Sequence, residues 1–205
     1  MLLINMLDYP NRQKYLEAVQ KQLERNIFYH SLALEACMDG IYNYLSMNNG
    51  LTNSEPPKED WLLAGLIHDI DYSAGFKPTH PAKTKEVLAK YNLDISESVL
   101  NIVKAHAPDL TGREPQNKAE WAIFCADSLT GLIVATALVY PSKKLADVKL
   151  SSVLKRFLKE PKFAAGTRRE DVKMCERPEG LNIKLDKFCE ICFEAMKKIA
   201  PEIGL

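Results

Sequence analysis

The sequence predicts an all-α protein, and three observations carry that prediction. Apolar residues recur at steps of three and four along most of the chain, strand-type alternation is scarce, and the breaks between periodic stretches hold Pro, Gly, Asn and Ser. With 205 residues and 46% hydrophobic content, the chain can build one sizeable core, so a single domain over 1–205 is expected.

The elements follow in order. A first helix is predicted over about 11–24 and a second over about 26–47. In the second, Ile27, His30, Leu34, Met38, Ile41 and Leu45 make one apolar stripe, and His30 lies inside it. Residues 48–58 hold Asn49, Gly50, Ser54, Pro56 and Pro57 and read as a loop. From Glu59 to about Asp69, the residues Trp61, Leu62, Leu63, Leu66 and Ile67 make a helix apolar on most sides, which belongs deep in a core. It carries His68 and Asp69 at its end. After a loop with Gly75 and Pro78, Thr79-His80-Pro81 predicts a helix start, because Pro is favoured in a first turn.

Asp94, with Glu97 three residues on, predicts the next helix by a variant of the capping box. Its face carries Val99, Ile102, Val103 and His106, and Pro108 closes it. Asn117 and Glu120 predict the start of a long helix that sets Ile123, Asp127, Thr130 and Val134 on one face and ends at Pro141. Ser151–Lys159 reads as a short helix, and Thr167 and Glu170 have capping-box spacing for another. Leu185–Ile199 is amphipathic; its Cys189 and Cys192 share a face with Leu185, Phe188 and Met196 and are predicted to pack in the core. The region from 141 to 205 is expected to form a helical cap that shapes access to a site in the first two-thirds of the chain.

Charge narrows the function classes. Lys plus Arg and Asp plus Glu both number 27, so no chain-wide signature for nucleic-acid polymers exists. Residues 141–177 nevertheless hold eleven Lys or Arg against five acids, a basic stretch able to meet phosphate. Met1–Leu7 is apolar but lacks the basic region and cleavage site of a signal peptide. No run approaches the ~20 apolar residues of a membrane span. Five cysteines, an odd number without a disulfide-like framework, point to the cytoplasm.

The chemistry concentrates in six residues. All four histidines, His30, His68, His80 and His106, fall in or beside helices, and Asp69 and Asp127 take core-like positions. A bare buried carboxylate is costly, and buried imidazoles and carboxylates satisfy one another by sharing a cation. Mixed nitrogen and oxygen donors suit Fe, Mn, Ni, Co or Zn. Lys83 lies one turn after His80, and Arg168 and Arg169 open the helix assigned to Thr167; these three are the candidate substrate-binding cations. Asp71 either orients a ligand histidine or ends its helix.

This order of residues resembles the HD superfamily. His30, then His68-Asp69 closing an apolar helix, then Asp127 on a later helix match its H…HD…D pattern over residues 26–135. His80 and His106 match two further histidines of members that hold two metals; one departure is Ala107, where many members pair a second histidine with the first. The resemblance implies an HD-type helical bundle with additional C-terminal helices. It also implies one or two divalent transition metals and hydrolysis of a phosphoester, of a nucleotide or other small phosphorylated metabolite, by metal-activated water. On this resemblance His30, His68, Asp69 and Asp127 form one site, His80 and His106 complete a second with Asp69 bridging, and His68, Asp69 and Asp127 are the catalytic candidates. Two other functions are compatible with the ligand set: a di-iron oxygenase acting on a small organic substrate, and a non-catalytic nucleotide-sensing module.

Overall fold

The computed structural model describes residues 7–73 and 75–205. The apolar opening Met1–Leu7 lies, Leu7 apart, outside them. Ten α-helices follow one another, with no strand among the described residues: α1 (Arg12–Gln22), α2 (Arg25–Met47), α3 (Lys58–Ile67), α4 (Thr84–Ala89), α5 (Glu97–Ala105), α6 (Pro108–Thr111), α7 (Lys118–Leu138), α8 (Leu150–Lys159), α9 (Arg169–Lys173) and α10 (Leu185–Lys198).

Helix α2 is the axis of the bundle, packed on α3, α7 and α10, while α3 and α7 both pack on α5. The stripe on α2 explains this. Leu34, Met38, Ile41 and Leu45 are buried, and Ile27 and His30 continue the same face to the half-buried end. In α3, Trp61, Ala64, Leu66 and Ile67 are fully buried, as its all-round apolar character requires. Gly65 permits the closest approach: a Cβ there would stand 3.0 Å from the Cα of Glu35 on α2. Inside that contact Glu35 is buried yet satisfied, accepting two hydrogen bonds from Arg12 and one from Tyr9.

Helix α7 begins on the capping pair that the sequence marks. Asn117 accepts from the Glu120 backbone N–H at 3.0 Å and donates back to the Glu120 carboxylate at 3.0 Å. By length and composition α7 could cross a bilayer, in contrast with the sequence expectation that no run approaches this; here it is mostly buried, with Asp127 on it.

Four local expectations are corrected. Thr79-His80-Pro81 starts no α-helix: a 3-10 turn covers Lys77–Thr79, the His80–Pro81 bond is cis, and α4 begins only at Thr84. The cause is tertiary, since Asp71 takes the Lys83 backbone N–H at 2.8 Å and ties this turn to the end of α3. The cap of α5 is Ser96, whose Oγ accepts from Val99, whereas the Asp94 carboxylate accepts from its neighbour Ile95. Pro108 does not close α5, which ends at Ala105; it opens α6. Thr167 does not cap α9, because Arg168 stands before the first helical residue and no side chain caps it.

The region expected to be a cap divides in two. Residues 164–168 do line the site. Helix α10 instead lies along α2, with Phe188, Cys189, Cys192, Phe193 and Met196 buried in the shared core. The reason is its strong apolar face, which needs a partner surface that α2 supplies.

Candidate metal centre

Five separate elements bring the six polar side chains to one place. His30 comes from the first turns of α2, and His68 and Asp69 from the end of α3. His80 comes from the turn before α4, His106 from the end of α5 and Asp127 from the middle of α7. His68 and His106 are buried, and Asp127 nearly so.

The distances divide them into two sets that share Asp69. In the first, His30 Nε2 lies 3.1 Å from His68 Nε2, 3.0 Å from Asp127 Oδ1 and 3.7 Å from Asp69 Oδ2, which is 3.3 Å from His68. In the second, His80 Nε2 lies 3.0 Å from His106 Nε2 and 3.2 Å from Asp69 Oδ1, which is 4.0 Å from His106. Donors held ~2.1 Å from a common ion stand ~3.0–3.4 Å apart for octahedral or tetrahedral angles. The shorter spacings of both sets, 3.0–3.3 Å, fit that requirement, while His30–Asp69 at 3.7 Å and His68–Asp127 and His106–Asp69 at 4.0 Å are wider; three donors of each set gather within 4.8 Å of one another.

Hydrogen bonding to the outer nitrogens settles which atoms face inward. His68 Nδ1 donates to the Gly65 carbonyl at 2.9 Å, and His106 Nδ1 to the Val103 carbonyl. His80 Nδ1 donates to Asp71 at 2.6 Å. His30 Nδ1 meets Thr130 Oγ1 at 2.9 Å, whose own proton goes to the Asp127 carbonyl, so His30 is again the donor. Each Nε2 is therefore the ring nitrogen turned inward. Burial, then the nearby His68, pushes His106 down to about 4, so this imidazole is neutral at pH 7. The Nε2 atoms of His80 and His106 stand 3.0 Å apart. Two imidazole nitrogens this close, with Asp69 beside them, can share one cation, and the donor set fits a divalent transition metal.

Electrostatics in the other set agree. Burial alone would raise Asp69 and Asp127, but the surrounding imidazoles hold both carboxyls well below the usual range. Burial works against a charge on His30, yet the hydrogen bond and charge of Asp127 raise its pKa above the ordinary imidazole value.

A family model for the HD domain matches residues 27–132, just over half the chain. The chain belongs to the HD-domain family. No curated protein and no solved structure matches it. The matched HD region spans from α2 into α7 and contains all six of the converging residues.

Outside the HD match, Arg168 reaches the centre. Its Nη2 donates to Asp127 Oδ2 at 2.7 Å and its Nε to Asp171 Oδ2 at 2.7 Å. The other two candidate cations do not join it. Lys83 sends its Nζ to Glu86 at 2.7 Å on an exposed face. Arg169 turns away and donates to the carbonyls of Phe157, in the last turn of α8, and of Glu160 and Phe163 beyond it. Asp71 proves to be a histidine partner, fully buried between His80 and the Lys83 N–H. Thr130 is the residue whose role the sequence reading missed. Its signal was present: it follows Asp127 by three positions on the same helical face.

Proposed function

We propose that this HD domain is a metal-dependent phosphohydrolase that cleaves a phosphoester of a small metabolite, a nucleotide among the candidates. The observation that carries the reading is the inward convergence of four imidazole Nε2 atoms and two carboxylates beside one partly exposed guanidinium. His30, His68, Asp69 and Asp127 would hold one ion, and His80, His106 and Asp69 a second. A divalent ion held there supplies Lewis acidity, lowering the pKa of water toward neutrality and drawing charge from a phosphoryl oxygen.

The chain's own groups do the rest. Arg168 has N–H donors beyond those given to Asp127 and Asp171, in a planar fork suited to phosphate oxygens. Asp127 is shared between His30 and Arg168, so it couples the cation position to the ligand grip. Asp71, Thr130 and the carbonyls of Gly65 and Val103 fix the ring orientations. The five free cysteines are all buried, which suits a reducing compartment such as the cytoplasm.

The test is elemental analysis of purified protein, then a phosphate-release screen with Mn²⁺, Fe²⁺, Co²⁺ or Ni²⁺ over phosphorylated metabolites. Metal near one or two ions per chain with phosphate release is expected. Oxygen uptake with a mixed-valence iron signal and no phosphate release would overturn the reading in favour of an oxygenase.

A further inference from the structure

Arg168 stands between two cavities, and each opens on a different histidine set. A cavity of about 380 Å³ is bounded by His30 and Asp127, and one of about 460 Å³ by His106; Arg168 lines both. Their walls differ in kind. Around the smaller cavity stand Ser128, Gly131, Gly166 and Thr167, which offer hydroxyls and backbone but no aromatic face. Around the larger stand Trp121, Phe124, Met174 and Leu110, with Asp109 and Glu114 exposed at the rim.

A phosphoryl group has no use for an apolar wall, whereas an organic ring does. The Trp121 and Phe124 rings meet edge to face at 6.0 Å, and the Arg177 guanidinium lies 5.9 Å from the Trp121 ring. Such a setting favours a flat partner. The carboxylate oxygens of Asp109 and Glu114 accept hydrogen bonds, so they favour hydroxyl or amino donors over a second phosphate.

Resting on the phosphohydrolase reading, we propose that the larger cavity is the specificity pocket for the organic part of a phosphomonoester. That part is a flat ring system bearing hydroxyl or amino donors, and its single phosphate lies at Arg168. His106, Pro108 and Trp121 come from the HD match, but Arg168, Met174 and Arg177 lie beyond it. The pocket is thus shared between the HD region, which supplies Trp121, Phe124, Asp109 and Glu114, and the C-terminal part, which closes it with Arg168, Met174 and Arg177.

Binding tests the pocket apart from turnover. Trp121 lines the cavity while the second tryptophan, Trp61, is fully buried, so intrinsic fluorescence reports on the pocket. Full-length protein without metal is titrated with adenosine 5′-monophosphate, glycerol 3-phosphate and inorganic phosphate, with calorimetry alongside. The adenosine compound should quench fluorescence and bind at least about tenfold tighter than glycerol 3-phosphate, a difference of about 1.4 kcal/mol. Ala107→Phe, which fills the cavity beside His106, should erase that preference. The double variant Asp109→Asn, Glu114→Gln alters two exposed side chains, so folding is not at risk, and should reduce the preference several-fold. Equal binding of the two phosphoesters by the unaltered protein, or an unchanged preference in both variants, would overturn the assignment. If manganese-dependent phosphate release from any monoester persisted alongside that result, only the pocket assignment would fall and the phosphohydrolase reading would stand.

Discussion

Asp69 turns its two carboxylate oxygens to different histidines, Oδ2 to His68 at 3.3 Å and Oδ1 to His80 at 3.2 Å. Truncation to Asp69→Ala is therefore expected to remove bound metal from both positions and turnover with it, read by elemental analysis and phosphate release. Asp71 acts one step further out. Asp71→Asn keeps the shape but weakens the grip on His80 Nδ1–H, and metal affinity measured by competition with a chelator should fall ~10–100-fold. His106 has a pH signature. Its imidazole takes a proton near pH ~6.5 in the unfolded chain. Burial lowers that to about 4 in the fold. Between these values the unfolded state binds more protons, so the His106 contribution to stability falls as pH drops from about 6.5 to about 4. Urea midpoints of metal-free protein should decline over that window more than those of His106→Gln; parallel curves would contradict this.

At the scale of elements, the decisive contact is α3 against α2. Gly65 lets the backbones meet, and its carbonyl also receives the His68 ring. A methyl at this position faces the backbone of Glu35, which has little room to yield. Gly65→Ala should cost ~1–3 kcal/mol in urea unfolding and lower metal content, since His68 moves with α3. The same junction holds the buried pair of Glu35 and Arg12. Glu35→Ala leaves the guanidinium without its partner and should cost about 3–5 kcal/mol. Helix positions were legible because apolar periodicity reports burial directly. Caps were legible where side chain and backbone satisfy each other locally, as at Asn117 and Glu120. They were misread at Asp94, where Ser96 competes two residues away, and at His80-Pro81, where the partner is Asp71, distant in sequence.

For the whole molecule, the candidate metal centre joins four helices of the bundle and the turn before α4. Ions bound there act as cross-links present only in the folded state. Free metal at about one hundred times its dissociation constant adds ~2.7 kcal/mol of stability. In a chain of this size that corresponds to a rise of about 5–11 °C in Tm. Chelation should reverse the rise, and Asp69→Ala should show neither effect in a thermal melt. The bulk charge balance of zero concealed one feature that matters at this scale: the basic stretch over 141–177 delivers a single arginine, Arg168, to the centre.

The sequence by itself determined the helical class, the order and approximate bounds of the long helices though not α6 or the start of α4, and the set of six polar residues in core-like places. Each of these follows from local periodicity or from the cost of burying an unpaired polar group. Only the tertiary structure decided which donors share Asp69, and that Arg168 faces the centre while Arg169 and Lys83 do not. Neighbouring arginines look alike in a sequence; their roles diverge because one finds carboxylates across the bundle and the other finds carbonyls beyond the end of α8.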